Sequence, residues 1–131
     1  MSEPHPIETY IARPPSEVSA FLAEPRNYPR WAVVSEETFR QIGPLEWAAD
    51  TALGPRIIRF SPPNDQGIAD HAVYAEGQEP MMMPLRVTAQ GEGSLVTFGF
   101  LRRPGMTDEQ FASAIEWIST DFAVLKALLE A

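Results

Sequence analysis

His71 is the side chain with the best claim to chemistry in this sequence, because an imidazole changes its charge near neutrality and can give or accept a proton or orient a ligand carbonyl or phenol. The other histidine, His5, stands between Pro4 and Pro6 in a segment, residues 1–6, that reads as a flexible tail. If Ile68 to Tyr74 is a strand, alternation places Ala69, His71 and Val73 on one face and Ile68, Asp70, Ala72 and Tyr74 on the other. The face of Ala69 and Val73 is the expected interior. His71 is therefore either a satisfied core residue or an acid, base or ligand-orienting group, and it is the catalytic candidate of the chain. Asp70 adjoins it but points to the opposite face, so the two form neither a hydrogen-bonded dyad nor a shared metal site. With no cysteine present, disulfides, thiolate metal sites and thiol nucleophiles are excluded. No metal and no cofactor are expected, and no Gly-x-Ser-x-Gly elbow supports a serine triad.

Three arginines, Arg56, Arg59 and Arg86, fall on expected strands, where an inward one could bind a ligand carboxylate or phenolate and an outward one would face solvent or a nearby acid. Met81, Met82 and Met83 precede Pro84. Thioether chains there would suit an adaptable cavity rim or an edge contact in a homodimer, and alternation prevents all three from sharing one role.

These side chains need a frame. Ile7 to Ala12 reads as a first strand stopped by Pro14-Pro15, followed by a short helix over Pro15 to Leu22 with apolar residues at helical spacing. Glu24 to Trp31, with two prolines, is a helical turn at most, with Tyr28 and Trp31 pointing the same way. Ser35 to Ile42 reads as another short helix, a strand being the alternative. Strands separated by glycine and proline turns then follow over Leu45 to Ala52, Arg56 to Phe60, Ile68 to Tyr74, Met81 to Ala89 and Leu95 to Leu101. Gly91 to Ser94 is a hairpin turn and not a phosphate loop, because no helix begins there.

Thr107 to Gln110 forms a capping box in front of a long terminal helix. Its stripe of Phe111, Ile115, Ile118, Phe122, Leu125 and Leu129, widened by Trp117, Val124 and Leu128, needs a sheet to cover it. The resulting class is α+β, a helix-grip arrangement of about six antiparallel strands curved around the C-terminal helix, within one domain over residues 1–131.

Composition narrows the partners. A net charge of −8, from 18 acidic and 10 basic residues, repels phosphate backbones and anionic lipid heads, so neither nucleic acid nor a membrane surface is an expected partner. No apolar run approaches the roughly 20 residues of a membrane span, and the first residues lack the pattern of a secretion signal, which makes the cytoplasm the expected location.

The stretch from Ala12 to Trp31, ARPPSEVSAFLAEPRNYPRW, resembles the opening of the SRPBCC superfamily, the START and polyketide cyclase/dehydrase-like group, with its strand end, proline-led helix and Asn-Tyr-Pro-x-Trp turn. The segments around Gly67 to His71, Met83 to Val87 and Pro104 to Glu109 look like a compact bacterial subgroup of uncharacterised polyketide-cyclase-like proteins. The resemblance implies a helix-grip fold and binding of a small hydrophobic metabolite, lipid-, polyketide- or aromatic-like, in a cavity under the long helix. Candidate ligand-contacting side chains are Phe21, Trp31, Trp47, Phe60, His71, Met83, Phe98, Phe100, Phe111, Ile115, Ile118 and Phe122, each of which packed core would also explain. Two other functions stay open. One is a cofactor-free cyclase, dehydratase or isomerase acting on a ketone-bearing substrate through His71, and the other is a protein-interaction domain with a filled interior.

Overall fold

A computed structural model describes residues 4–32, 34–51, 54–62, 64–101 and 105–131; the side chains of Pro4, His5, Met81, Phe100 and Leu101 lie outside that description. The chain begins with strand β1 (Pro4–Ile11), so residues 4–6, expected as tail, are paired with the end of the last strand. Helix α1 (Pro15–Ala23) starts on a proline, has Glu17 in its first turn and buries Val18 and Leu22. A 3-10 turn (Pro25–Asn27) leads into the single-turn helix α2 (Tyr28–Trp31). The Asn27 side-chain amide donates to the Phe21 carbonyl at 3.0 Å, which aims α2 so that Tyr28 and Trp31 are both buried.

The expected helix over Ser35 to Ile42 is absent. A turn occupies 36–38, and β2 (Arg40–Gln41) pairs with the next strand. The Ser35 hydroxyl does act as a cap, but for a turn: it accepts from the Thr38 amide at 3.3 Å, and the Thr38 hydroxyl accepts from the Asp50 amide at 2.9 Å. This tie to the neighbouring strand overrides a weak helical pattern.

β3 (Glu46–Thr51), β4 (Gly54–Phe60), β5 (His71–Tyr74) and β6 (Met81–Met83) extend β2 into a five-stranded antiparallel sheet in sequence order. β7 (Leu85–Gln90) and β8 (Gly93–Leu101) form a three-stranded sheet with β1, in the order β1-β8-β7. The run from Met81 to Ala89 was expected as one strand. Pro84 breaks it, since proline donates no ladder hydrogen bond, and the two halves pair in different sheets. The strand expected from Ile68 begins instead at His71, while Gly67 to Ala69 runs beside β7: the Val87 amide donates to the Gly67 carbonyl and the Ala69 amide to the Leu85 carbonyl, each at 2.8 Å. Gly67 has a positive φ of 75°, and a Cβ there would collide with the Val87 carbonyl oxygen, so glycine is required where the two sheets meet.

Register fixes the inner face. Trp47 lies opposite Ile58 and Ile58 opposite Val73, while Phe60 lies opposite His71 and His71 opposite Met83. Alternation adds Thr51 and Arg56 to the same face. Helix α3 (Asp108–Glu130) crosses it, opened by the capping box in which the Thr107 hydroxyl accepts from the Gln110 amide at 3.1 Å and the Gln110 side chain accepts from the Thr107 amide at 2.9 Å. At its other end the Glu130 carboxylate accepts from the Ala12 amide and the Lys126 ammonium donates to the Tyr10 carbonyl, tying α3 to β1.

The helix does not press evenly on the sheet. Phe122 and Leu125 are fully packed, but Phe111, Ile115 and Ile118 are only half-buried, and Trp117 and Val124, expected to widen the apolar stripe, are exposed. Among the described residues no helix is long and apolar enough to cross a membrane.

Candidate functional site

The loosely packed half of α3 roofs a cavity of about 430 Å³. Its floor is the inner face of β3 to β6, with Thr51, Arg56, Val73 and Met83; α2 contributes Tyr28; and α3 presents Ala114, Trp117, Ile118 and Asp121, spaced three, four and seven residues from Ala114 along one face. Most of the wall is apolar, and Arg56, Gln78, Glu79 and Asp121, with the hydroxyl-bearing Tyr28, Thr51 and Tyr74, are its polar exceptions. A shallow depression on the outer side of α3, bordered by Ser113, Glu116 and Thr120, shares Trp117 and Asp121 with this cavity but has no sheet opposite it.

Tyr28 is the hinge of the site. Its ring stands edge-on to Trp31 at 5.3 Å, Phe60 at 5.4 Å and His71 at 5.2 Å, which holds it in one orientation. Its hydroxyl lies 3.4 Å from Nε2 of His71, and Nδ1 of His71 lies 3.3 Å from the Ala69 carbonyl. A carbonyl can only accept, so Nδ1 carries the proton and Nε2 accepts from the Tyr28 hydroxyl. Burial pushes the His71 pKa down to about 4, outweighing the opposing pulls of the Ala69 carbonyl and Asp70. The imidazole is neutral at physiological pH. Burial, and secondarily the Asp121 charge, push the Tyr28 hydroxyl upward, so it stays protonated.

Asp121 is the group tuned to neutrality. Desolvation raises its carboxyl to about 7, and among the described residues no donor hydrogen-bonds to it. Asp70, by contrast, is engaged elsewhere. It binds the Arg86 guanidinium through both oxygens, at 2.9 and 2.7 Å, and accepts from the Leu85 amide, and Arg86 holds it below the usual carboxylate range. It does not share a face with His71, as alternation required.

Of the candidate ligand-contacting side chains named from sequence, Met83 and Ile118 lie on the cavity wall. His71 is 6% exposed and sits behind Tyr28, facing inward as expected but screened from the cavity. Trp31, Phe60, Phe98 and Phe122 are packed in the core, and Phe111 and Ile115 lean on it from α3. Trp47 is buried against Phe39, their rings stacked at 4.8 Å. Phe21 lies under the Arg30 guanidinium, away from the cavity. The Phe100 side chain lies outside the described residues. Met82 is 54% exposed, so the methionine run splits between wall and surface.

Among the three strand arginines, Arg86 pairs with Asp70, Arg59 lies over the Tyr74 ring, and Arg56 faces the cavity. Sequence reasoning passed over Tyr28 and Asp121 as site residues. A signal existed for the second: Asp121 falls between Ile118 and Leu125 on the apolar stripe, where a carboxylate is costly and therefore informative.

No family model matches the chain, and no curated protein matches it. Solved structures do. A START superfamily protein from Mycobacterium smegmatis superimposes with a TM-score of 0.70 at 12% identity, over 98% of this chain and 97% of that one. The Aha1 dimer of Colwellia psychrerythraea gives 0.72 at 13% identity, over 99% and 96%. DynU16, a protein of the dynemicin biosynthetic locus, gives 0.71 at 16% identity, and this chain spans 98% of itself but 48% of DynU16. At these identities the likeness concerns fold. A three-stranded and a five-stranded antiparallel sheet around a long C-terminal helix give this chain a START-like helix-grip fold.

Proposed function

We propose that this protein binds a small, largely apolar molecule in the cavity between the inner face of β3 to β6 and helix α3. The observation that carries this reading is the cavity itself: about 430 Å³, within the range of small-molecule sites, mainly apolar, with a few polar groups placed on its wall. Underpacking of α3 at Ile118, which is half-buried on the cavity wall, supports it, because a helix selected only for packing would close that space. The same volume weighs against a partner-binding domain with a filled interior.

A second reading, turnover of a ketone-bearing substrate, draws on Asp121. A carboxyl titrating near 7 on the cavity wall is suited to proton transfer, whereas His71 is held neutral behind Tyr28 and positions that hydroxyl. Under this reading Asp121→Asn abolishes turnover and His71→Gln only slows it.

Native mass spectrometry of protein purified without denaturation should show a retained small molecule, and the emptied protein should take up anilinonaphthalene sulfonate. Ala114 faces the cavity from α3, so Ala114→Trp should fill it and weaken dye binding at least about tenfold, about 1.4 kcal/mol, with little change in melting temperature. A wild-type protein that retains nothing and binds no dye, or a variant that binds dye as well as wild type, would refute the container reading.

A further inference from the structure

We propose that the cavity takes a monoanionic amphiphile, an apolar body bearing one carboxylate, with Arg56 as the partner of its anion and Asp121 setting the pH range over which it binds. This rests on the container reading and specifies its ligand.

The first support is the position of Arg56. Register puts it opposite Ala49 and in line with Ile58 and Phe60, on the inner face, where it lines the cavity half-buried. Among the other described arginines, Arg13, Arg26 and Arg86 pair with Glu17, Glu24 and Asp70, Arg30 binds Asn27, Arg59 lies over the Tyr74 ring, and Arg40, which like Arg56 meets a backbone carbonyl, that of Thr38, is exposed and does not line the cavity. Arg56 donates to the Pro55 carbonyl at 2.8 Å and, among the described residues, to no carboxylate. A guanidinium has five N–H donors in a planar fork, so most of this one's capacity is unspent beside an apolar space. A carboxylate entering the cavity would gain the charge-assisted, two-pronged contact that Arg56 lacks.

The second support is the group on α3 that shares the cavity. Asp121 carries no hydrogen-bond partner among the described residues and lines the same space as Arg56. Ionised, it repels a bound anion; protonated, it does not, and its hydroxyl becomes a donor. The other charged or titratable groups on the wall are Glu79 from the turn after β5, Tyr28 from α2, and Tyr74 from β5, whose hydroxyl donates to Glu46; His71 lies behind Tyr28. Desolvation brings the Asp121 titration close to neutrality, so anion affinity should fall as the pH rises through that range.

Calorimetric titration with phenylbutanoic acid and phenylbutanamide tests both halves, since the two share an apolar body and the acid is ionised at about pH 6 and about pH 8 alike. In the wild-type protein the acid should bind at least about tenfold tighter than the amide at the lower pH, and that ratio should shrink severalfold at the higher one. Arg56→Gln should bring the ratio close to one, Arg56→Lys should keep part of it, and Asp121→Asn should make it independent of pH. Equal binding of acid and amide by the wild-type protein overturns the inference and leaves the container reading standing. A pH dependence that survives Asp121→Asn overturns the role of Asp121. Binding of neither compound, with no dye uptake, overturns the container reading and this inference with it.

Discussion

Asp121→Asn should stabilise the fold at about pH 8 by about 2 kcal/mol, a large effect in an unusual direction. In the folded protein the carboxyl titrates near 7 instead of 3.8. Folding therefore favours the protonated form, so the stability the group contributes is complete below about 3.8 and is lost as the pH rises through about 7. The full shift corresponds to about 4 kcal/mol, and partial solvent access at α3 reduces it to about half. Asparagine is never ionised and escapes this loss.

His71 works in the other direction. Its folded pKa of about 4 lies below the ordinary 6.5, so its contribution is complete above about 6.5 and is lost as the pH falls through about 4, a change of about 3 kcal/mol. Between these limits the two slopes oppose each other in the wild-type protein. Urea denaturation across about pH 4 to pH 8 should give a shallow profile for wild type and a steeper acid loss for Asp121→Asn. Asp70, held low by Arg86, weakens both proteins alike in acid. A variant no more stable than wild type at about pH 8 would mean that Asp121 is not desolvated by the cavity. An acid retained at such a cost to stability is the expected mark of a functional group.

Leu125→Ala should cost about 3 kcal/mol, enough to remove a large share of the stability of a domain of this size. Leu125 has no exposed surface and lies one turn beyond Phe122, where α3 finally meets the core. The polar ties at this end, Lys126 to Tyr10 and Glu130 to Ala12, are exposed and contribute little by comparison. Val124→Ala, one residue away on the outer face, should change stability by less than about 0.5 kcal/mol. Urea midpoints that moved equally for the two variants would contradict the orientation of the helix.

The contrast between those neighbours shows where local pattern suffices. The capping box at Thr107 and Gln110 and the proline-led α1 are decided by groups a few residues apart, and they stand where the sequence placed them. The same holds for period-two alternation, which turned His71 inward and Asp70 outward without knowledge of any partner strand. Local pattern failed where a distant segment competed. Ser35 to Ile42 lost its helix to the Thr38 tie with Asp50, and Pro84 divided one expected strand between two sheets because each half found a different neighbour.

The site was the least legible part for the same reason. An apolar stripe at helical spacing states that α3 has an inner face, but how closely each turn approaches the sheet depends on its packing against β1 and α2, far away in sequence. That geometry left Ile118 on a cavity wall and sealed Phe122 in the core one turn later. It also gave Tyr28 and Asp121 their environments, by bringing together side chains 93 residues apart in a desolvated space that no local window of sequence can represent. Residue types and spacing determined the elements and their inward faces, while the distances between those faces, and with them burial and charge, were set by the tertiary structure alone.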